Sequence, residues 1–237
     1  MFFLSVAHLV PGTEQPRRVL QEKALEAYEL ALSKQAGLGS KIDLSLSIIR
    51  VAFFHSDFPS ISSNIDKTRA LIESGGDWDR RNRLKVYEGI YLLSIRDFKA
   101  GGQLLFDTIS TFTATELLSY EDFVGLCIIA GVLTLPRKDL KKKIIDSPEV
   151  ISVLGSLPHL KEFTTALYET EYAKFFRALA EVEEHHLIPS RLLEKHSRYY
   201  TRELRIRAYA QLLESYRSVT LQSLADAFGV GEAFLEA

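Results

Sequence analysis

Pairs of helices joined by an acidic–aromatic turn recur along this chain at an offset of 40 residues. That recurrence limits the possible folds more than any other feature. Leu25, Ile65 and Leu105 correspond, as do Leu32, Ile72 and Phe112. Asp57-Phe58 falls on Asp97-Phe98, each following an apolar helical segment, Ile48 to Phe54 and Val86 to Leu93. An isolated helix pair cannot cover both its faces, so such units stack and complete each other's core. The expected fold is therefore all-α, an α-α solenoid whose repeat length lies between the tetratricopeptide and armadillo classes. Alternating β-branched runs are scarce.

The joint between two copies is the stretch Gly75–Tyr91, GGDWDRRNRLKVYEGIY. Gly75 and Gly76 stop one helix, because glycine tolerates the left-handed backbone that closes a helix C-terminus. Asp77 is placed to cap the next, accepting from free N–H groups and putting negative charge at the positive end of the dipole. Leu84, Tyr87 and Tyr91 then share an apolar stripe. Arg81, Arg83 and Lys85 lie off it, Arg80 precedes it in the first turn, and the single Trp78 marks the junction. This basic face fits either an acidic partner or an internal link to the following repeat.

Past Phe112 the pattern changes. One helix is expected over Glu116 to Leu135, followed by a short basic segment, Lys138–Asp146. Ser147-Pro148-Glu149 restarts a helix with proline in its first turn. Pro158 begins another, with Phe163, Leu167, Tyr172, Phe175, Phe176 and Leu179 giving an aromatic inner face through about His186. A long helix from about Arg191 to Tyr216 is expected to bury Leu204, Ala208 and Leu212, with Tyr209, Leu213 and Tyr216 beside them. In the last segment Val219 fits a short strand, Leu221 to Phe228 a two-turn helix, Gly229 a turn, and Glu232 onward a second helix carrying Phe234 and Leu235. This is helix-turn-helix spacing, with Val230 plugging the angle. A winged helix needs two more strands, so the chain reads as cut inside its final domain.

Composition excludes some classes of function. A net charge of -2 gives no global pull towards nucleic acid or anionic membrane. The lone cysteine, Cys127, lies in the apolar run Phe123–Leu135 and reads as a small buried hydrophobe in a reducing compartment. The apolar stretch near Met1 is far shorter than the roughly 20 residues that cross a bilayer. It lacks the basic start of a secretory signal and reads as a short helix covering its neighbour, or the ragged start of a truncated chain. A cytosolic or nuclear protein is expected.

Catalytic equipment is hard to find. Glu183-Glu184-His185-His186 carries metal-capable groups, but adjacent histidines point about 100° apart on a helix. Glu181 and His185, at i and i+4, hold a metal only with help from elsewhere. Gly101-Gly102 is followed by no GK[ST], so it is no phosphate loop. Thr220 to Ala237 contain no Lys or Arg to neutralise phosphates, and the second helix offers no Arg, Asn or Gln to a base edge. Basic clusters at Arg137–Lys143 and at Arg198, Arg202 and Arg205 fit a solvated face, an RNA or an acidic partner helix. No catalytic, cofactor or metal residue is assigned, and no cofactor is expected.

Helical repeats running into a winged helix is the plan of the PCI module, shared by subunits of the proteasome lid, the signalosome and translation initiation factors. The strings GGDWDRRNRLKVYEGIY, RDFKAGGQLLFDTISTFTATEL, SYEDFV, KKKIIDSPEV and RIRAYAQLLESYRSVTLQSLADAFGV closely resemble the 26S proteasome non-ATPase regulatory subunit 6 family, from roughly Lys23 to the end. The run-in MFFLSVAHLVPGTEQPRR departs from the family. The resemblance implies tetratricopeptide-like repeats over 1–117, the helical part of a PCI module over 118–200 and the first half of its winged helix over 201–237. It also implies a non-catalytic scaffold of the regulatory-particle lid in ubiquitin-dependent degradation. The implied partners are other lid subunits and the ATPase ring, with no nucleic acid and no membrane. The alternatives are a signalosome subunit or a nucleic-acid-binding winged-helix protein. Arg80, Arg81, Arg83, Phe228, Val230 and Phe234 are the candidate partner-interface residues.

Overall fold

Asp57 and Asp97 open two helices in the same way. In the computed structural model, which describes residues 14–216 and 218–236, each carboxylate accepts from the backbone N–H three residues on. Those bonds run from Ser60 at 3.2 Å and from Ala100 at 3.0 Å. Before each aspartate stands a left-handed residue, Ser56 (φ 56°) or Arg96 (φ 74°). Each aspartate N–H reaches back to a carbonyl five residues earlier, on Ala52 or Leu92. A helix closure thus runs directly into an N-cap, and the chain reverses with no loop between.

These turns organise the first unit, which ends at Tyr120. Its helices are α1 (Glu14–Lys34), α2 (Leu38–His55), α3 (Phe58–Glu73), α4 (Trp78–Ser94) and α5 (Phe98–Thr108), and each packs against the next. Ile42, Leu46 and Ile49 of α2, Ile61 and Ile65 of α3, Tyr87 and Leu93 of α4, and Leu105 of α5 form the core. Fully burying one such aliphatic side chain contributes roughly 2 kcal/mol. The α4–α5 crossing is tight enough to require glycine on both sides. A Cβ on Gly101 would stand 2.8 Å from the Gly89 carbonyl oxygen, and one on Gly89 would stand 2.7 Å from Leu105 Cδ2. Gly101 is a packing residue.

The second unit begins at Glu121. Its first helix, α6 (Tyr120–Thr134), is buried at every position from Phe123 to Val132, as a helix apolar all round must be. Then come α7 (Arg137–Leu140), running into a π turn over Lys141–Ile145, α8 (Pro148–Leu154) and α9 (Pro158–Tyr168). They are followed by α10 (Tyr172–Val182), running into a π turn over Glu183–Leu187, then α11 (Ser197–Leu213), α12 (Leu221–Phe228) and α13 (Glu232–Glu236). Tyr200 of α11 donates to the Ile129 carbonyl at 2.8 Å, and Arg207 donates to the carbonyls of Val132 and Leu135. A cation therefore closes the negative end of α6.

Several expectations need correction. Glu116 is not helical; α6 starts at Tyr120, because the Glu116 carboxylate is drawn to Arg83 and Tyr87. The helix expected from Pro158 to His186 is two helices. Thr170 (φ 64°) breaks it, and the Glu171 N–H closes back on the Ala166 carbonyl, the same reversal as at Ser56-Asp57 and Arg96-Asp97. Helix α11 starts only at Ser197, after a 3-10 turn at Glu194–His196. Leu213 and Tyr216 are exposed, 48% and 61%, because the helix ends at Leu213 and the chain turns away from the buried side. No strand forms among the described residues, so Val219 lies in a connection where the strand was expected. The apolar stretch near Met1 lies outside the described residues.

Candidate protein-interaction surfaces

In the first unit the basic face is partly spent on an internal charge seam. Asp77 caps α4 by accepting from the Arg80 N–H at 2.9 Å, and its carboxylate also pairs with the Arg80 guanidinium. Arg80 then reaches α2, placing Nε 3.1 Å and Nη2 2.7 Å from the two Asp43 oxygens. Arg83 bridges Asp43, at 3.2 Å, to Glu116, at 2.6 Å. The same Glu116 oxygen accepts from the buried Tyr87 hydroxyl at 3.0 Å. The Arg80 hydrogen bonds, with Arg83 beside them, hold the Asp43 carboxyl below its ordinary value despite partial desolvation. Burial, reinforced by Glu116, pushes the Tyr87 phenol up, so it stays a neutral donor. Arg81 takes no part in this seam and points to solvent. Trp78, on the first turn of α4, is 62% exposed.

In the second unit Phe228 is buried inside an aromatic box. Its ring centroid lies 4.8 Å from Tyr172, 4.8 Å from Phe176 and 4.7 Å from Tyr209, anchoring α12 to α10 and α11. Gly229 (φ 63°) then turns the chain, and Val230 closes back on the Ala225 carbonyl. Phe234 of α13 lies under the Arg205 guanidinium at 5.0 Å and remains 44% exposed. Phe176, Arg205, Val230 and Phe234 line a groove of about 460 Å³. Of the candidate interface residues, Arg81 and Phe234 are thus exposed and Val230 is half-buried at the groove, whereas Arg80, Arg83 and Phe228 are engaged within their own unit.

Two further clusters sit in the second unit. Arg137 donates to the Tyr168 carbonyl at 2.8 Å and stacks over that ring, tying the start of α7 to the end of α9. His185 packs on His159 from the first turn of α9, beside half-buried His186. Burial first, then His159 and His185, push the His186 imidazole down to about 4, so it is neutral near pH 7. Burial likewise pushes the Cys127 thiol up, away from the thiolate that a nucleophile requires.

The sequence pattern of the family described as 26S proteasome subunit RPN7 matches residues 17–143, more than half of the chain. The chain belongs to that family. A PCI domain pattern matches residues 158–237. Among individual relatives, the chain is 44% identical over 230 residues to the 26S proteasome non-ATPase regulatory subunit 6 of Oryza sativa subsp. japonica, covering 97% of this chain and 59% of that protein. It is 45% identical over 219 residues to the 26S proteasome regulatory subunit rpn7 of Schizosaccharomyces pombe, covering 91% and 55%. It is 44% identical over 209 residues to the Saccharomyces cerevisiae RPN7 subunit, covering 87% and 49%. The chain therefore spans about half to three-fifths of the length of these relatives. The RPN7 match takes in the whole charge seam and the PCI match takes in the aromatic box.

Sequence reasoning overlooked Asp43, Glu116 and Arg207. The first two lie 37 and 33 residues from their respective arginines, Arg80 and Arg83, and Arg207 lies 75 from Val132. No local spacing marks such pairs. The only acid in α2, Asp43 between Ile42 and Leu44, was the one available signal.

Proposed function

We propose that this chain is a non-catalytic scaffold segment of the 26S proteasome regulatory-particle lid, working in cytoplasm and nucleus to support ATP-dependent degradation of ubiquitinated proteins. The observation that carries the reading is the tandem match, RPN7 over 17–143 and PCI over 158–237, on a chain built of packed helical hairpins. Its most prominent charged and aromatic clusters are committed to its own packing: the arginine seam braces α2 to α4, and Phe228 anchors α12. No helix in the described residues is long and apolar enough to cross a membrane.

The division follows the same reading: helical repeats over 1–117, the helical part of the PCI module over 118–200 and the start of its winged helix over 201–237. Other lid subunits and the ATPase ring are the proposed partners. Arg81, Val230 and Phe234 offer them contact, while Arg80, Arg83 and Phe228 hold those edges in place. Nucleic acid is not among the proposed partners: α12 and α13, the helix-turn-helix pair, carry no basic residue to neutralise phosphates. Affinity capture of the tagged chain from its source cells, with captured proteins identified by mass, tests this. Proteasome lid and ATPase subunits are expected; recovery of a cullin-modifying complex instead would move the chain to the signalosome.

A further inference from the structure

We propose that His159, Glu181 and His185 form a zinc site that clips the open end of the α9–α10 hairpin. The hairpin is closed at one end by the Thr170-Glu171 turn. At the other end, the first turn of α9 carries His159 and the last turn of α10 carries Glu181, with His185 in the π turn that follows. Spacing of i and i+4 puts Glu181 and His185 on one helical face, and the hairpin geometry supplies the third group from α9.

The three side chains converge on one point. His159 Nδ1 is 3.7 Å and His185 Nδ1 is 3.4 Å from the same oxygen, Glu181 Oε2; His185 Nδ1 also lies 3.0 Å from the Glu181 carbonyl oxygen, a hydrogen bond that metal binding through this nitrogen replaces. One ligand atom from each residue lies within 4.8 Å of the other two. Zinc binds imidazole nitrogen at about 2.0–2.1 Å and carboxylate oxygen at about 2.0–2.2 Å, so tetrahedral ligand atoms stand roughly 3.3–3.5 Å apart. The two contacts with Glu181 are already near that spacing. The histidine pair closes the remainder by side-chain rotation. Its rings are stacked in the unloaded hairpin, with centroids 4.5 Å apart and an interplanar angle of 11°, so their in-plane lone pairs run side by side and the rings must turn out of the stack for both nitrogens to meet one ion. All three side chains are between a third and about half exposed, which gives the ion a path in from solvent.

The chemistry selects among metals. Two imidazoles and one carboxylate match the His₂Glu donor set of zinc, whereas calcium and magnesium require oxygen ligands. With three protein ligands, a fourth position stays open to water or to a side chain of a neighbouring molecule. The carboxylate leaves one net positive charge on the complex. A bound ion adds a cross-link between the two helix ends that lie farthest along the chain from the connecting turn.

Calorimetric titration of zinc chloride into this chain, free of any histidine tag, tests the proposal. Saturable uptake of one zinc per chain is expected, weakened by more than about tenfold in His159→Ala and in His185→Ala. His55→Ala, in the other unit, leaves it unchanged. Cobalt at the same site is expected to give the visible absorption of a tetrahedral ion, lost in both site variants. Far-UV circular dichroism establishes that the variants are folded, which their exposed positions favour. In the unmodified chain alone, zinc at a hundredfold excess over its Kd is expected to raise the melting temperature by about 5–10 °C. Absence of saturable uptake, or uptake that persists in a folded His159→Ala/His185→Ala double variant, would overturn the assignment.

Discussion

Arg80 and Arg81 are adjacent, share a charge and do different work. Arg80 spans from the α4 cap to Asp43 on α2, whereas Arg81 faces water. Reversing Arg80 to Glu sets it against Asp43 and Asp77 and is expected to cost about 1–2 kcal/mol of stability. Arg81→Glu is expected to change stability by no more than about 0.5 kcal/mol while lowering incorporation into the assembly. Urea midpoints and quantitative capture separate the two effects. Asp43 adds a pH dependence of definite sign. The Arg80 hydrogen bonds hold its folded pKa below the ordinary aspartate value, so in acid the unfolded chain binds more protons than the folded one. The stability it contributes is full above the unfolded pKa and is lost as pH falls through the lowered folded value. Between pH 6 and pH 3 the unmodified chain should therefore lose more stability than Asp43→Asn, as read from urea midpoints at each pH. Equal losses would remove Asp43 from the account. The arginines were legible in the sequence as a face; their acids were not, because long-range pairing leaves no periodic trace.

At the scale of elements, the turn is the informative unit. The sequence exposed two copies because Asp-Phe repeats at a fixed offset. The third, Thr170-Glu171-Tyr172, has the same backbone but not the same letters, so the sequence pattern runs through it as continuous helix. Glutamate there makes no side-chain cap. The left-handed residue is threonine rather than glycine, and neither choice signals a helix end. Helix identity was otherwise legible wherever apolar spacing was regular, as in α2 and α4. It blurred where tertiary contacts set the boundary, as at Glu116. Glycines give a paired test of the packing. Gly101→Ala drives a Cβ into the Gly89 carbonyl oxygen and should destabilise the first unit by about 1–3 kcal/mol. Gly155→Ala meets nothing within 4 Å, in a right-handed backbone at the end of α8. It should be neutral or stabilising by up to about 1 kcal/mol. Thermal melts of the two variants should differ in sign or clearly in size; equal effects would contradict the close crossing of α4 and α5.

For the molecule as a whole, the sequence carried the family through dense strings such as GGDWDRRNRLKVYEGIY, and the RPN7 and PCI matches bear that resemblance out. The interface was less legible, because the same residue types serve internal packing and external contact. Phe228 and Phe234 look alike in a helix-turn-helix pattern, yet one fills an aromatic box and the other is 44% exposed. Exposure is a property of the assembled fold. Native gel electrophoresis of lysate from cells making the tagged chain, stained for ATP-dependent peptidase activity and then probed for the tag, tests the scaffold reading most directly. The tag should coincide with the active high-mass band. A tag found only at the mass of the free chain, or only in particles without ATP-dependent peptidase activity, would contradict it.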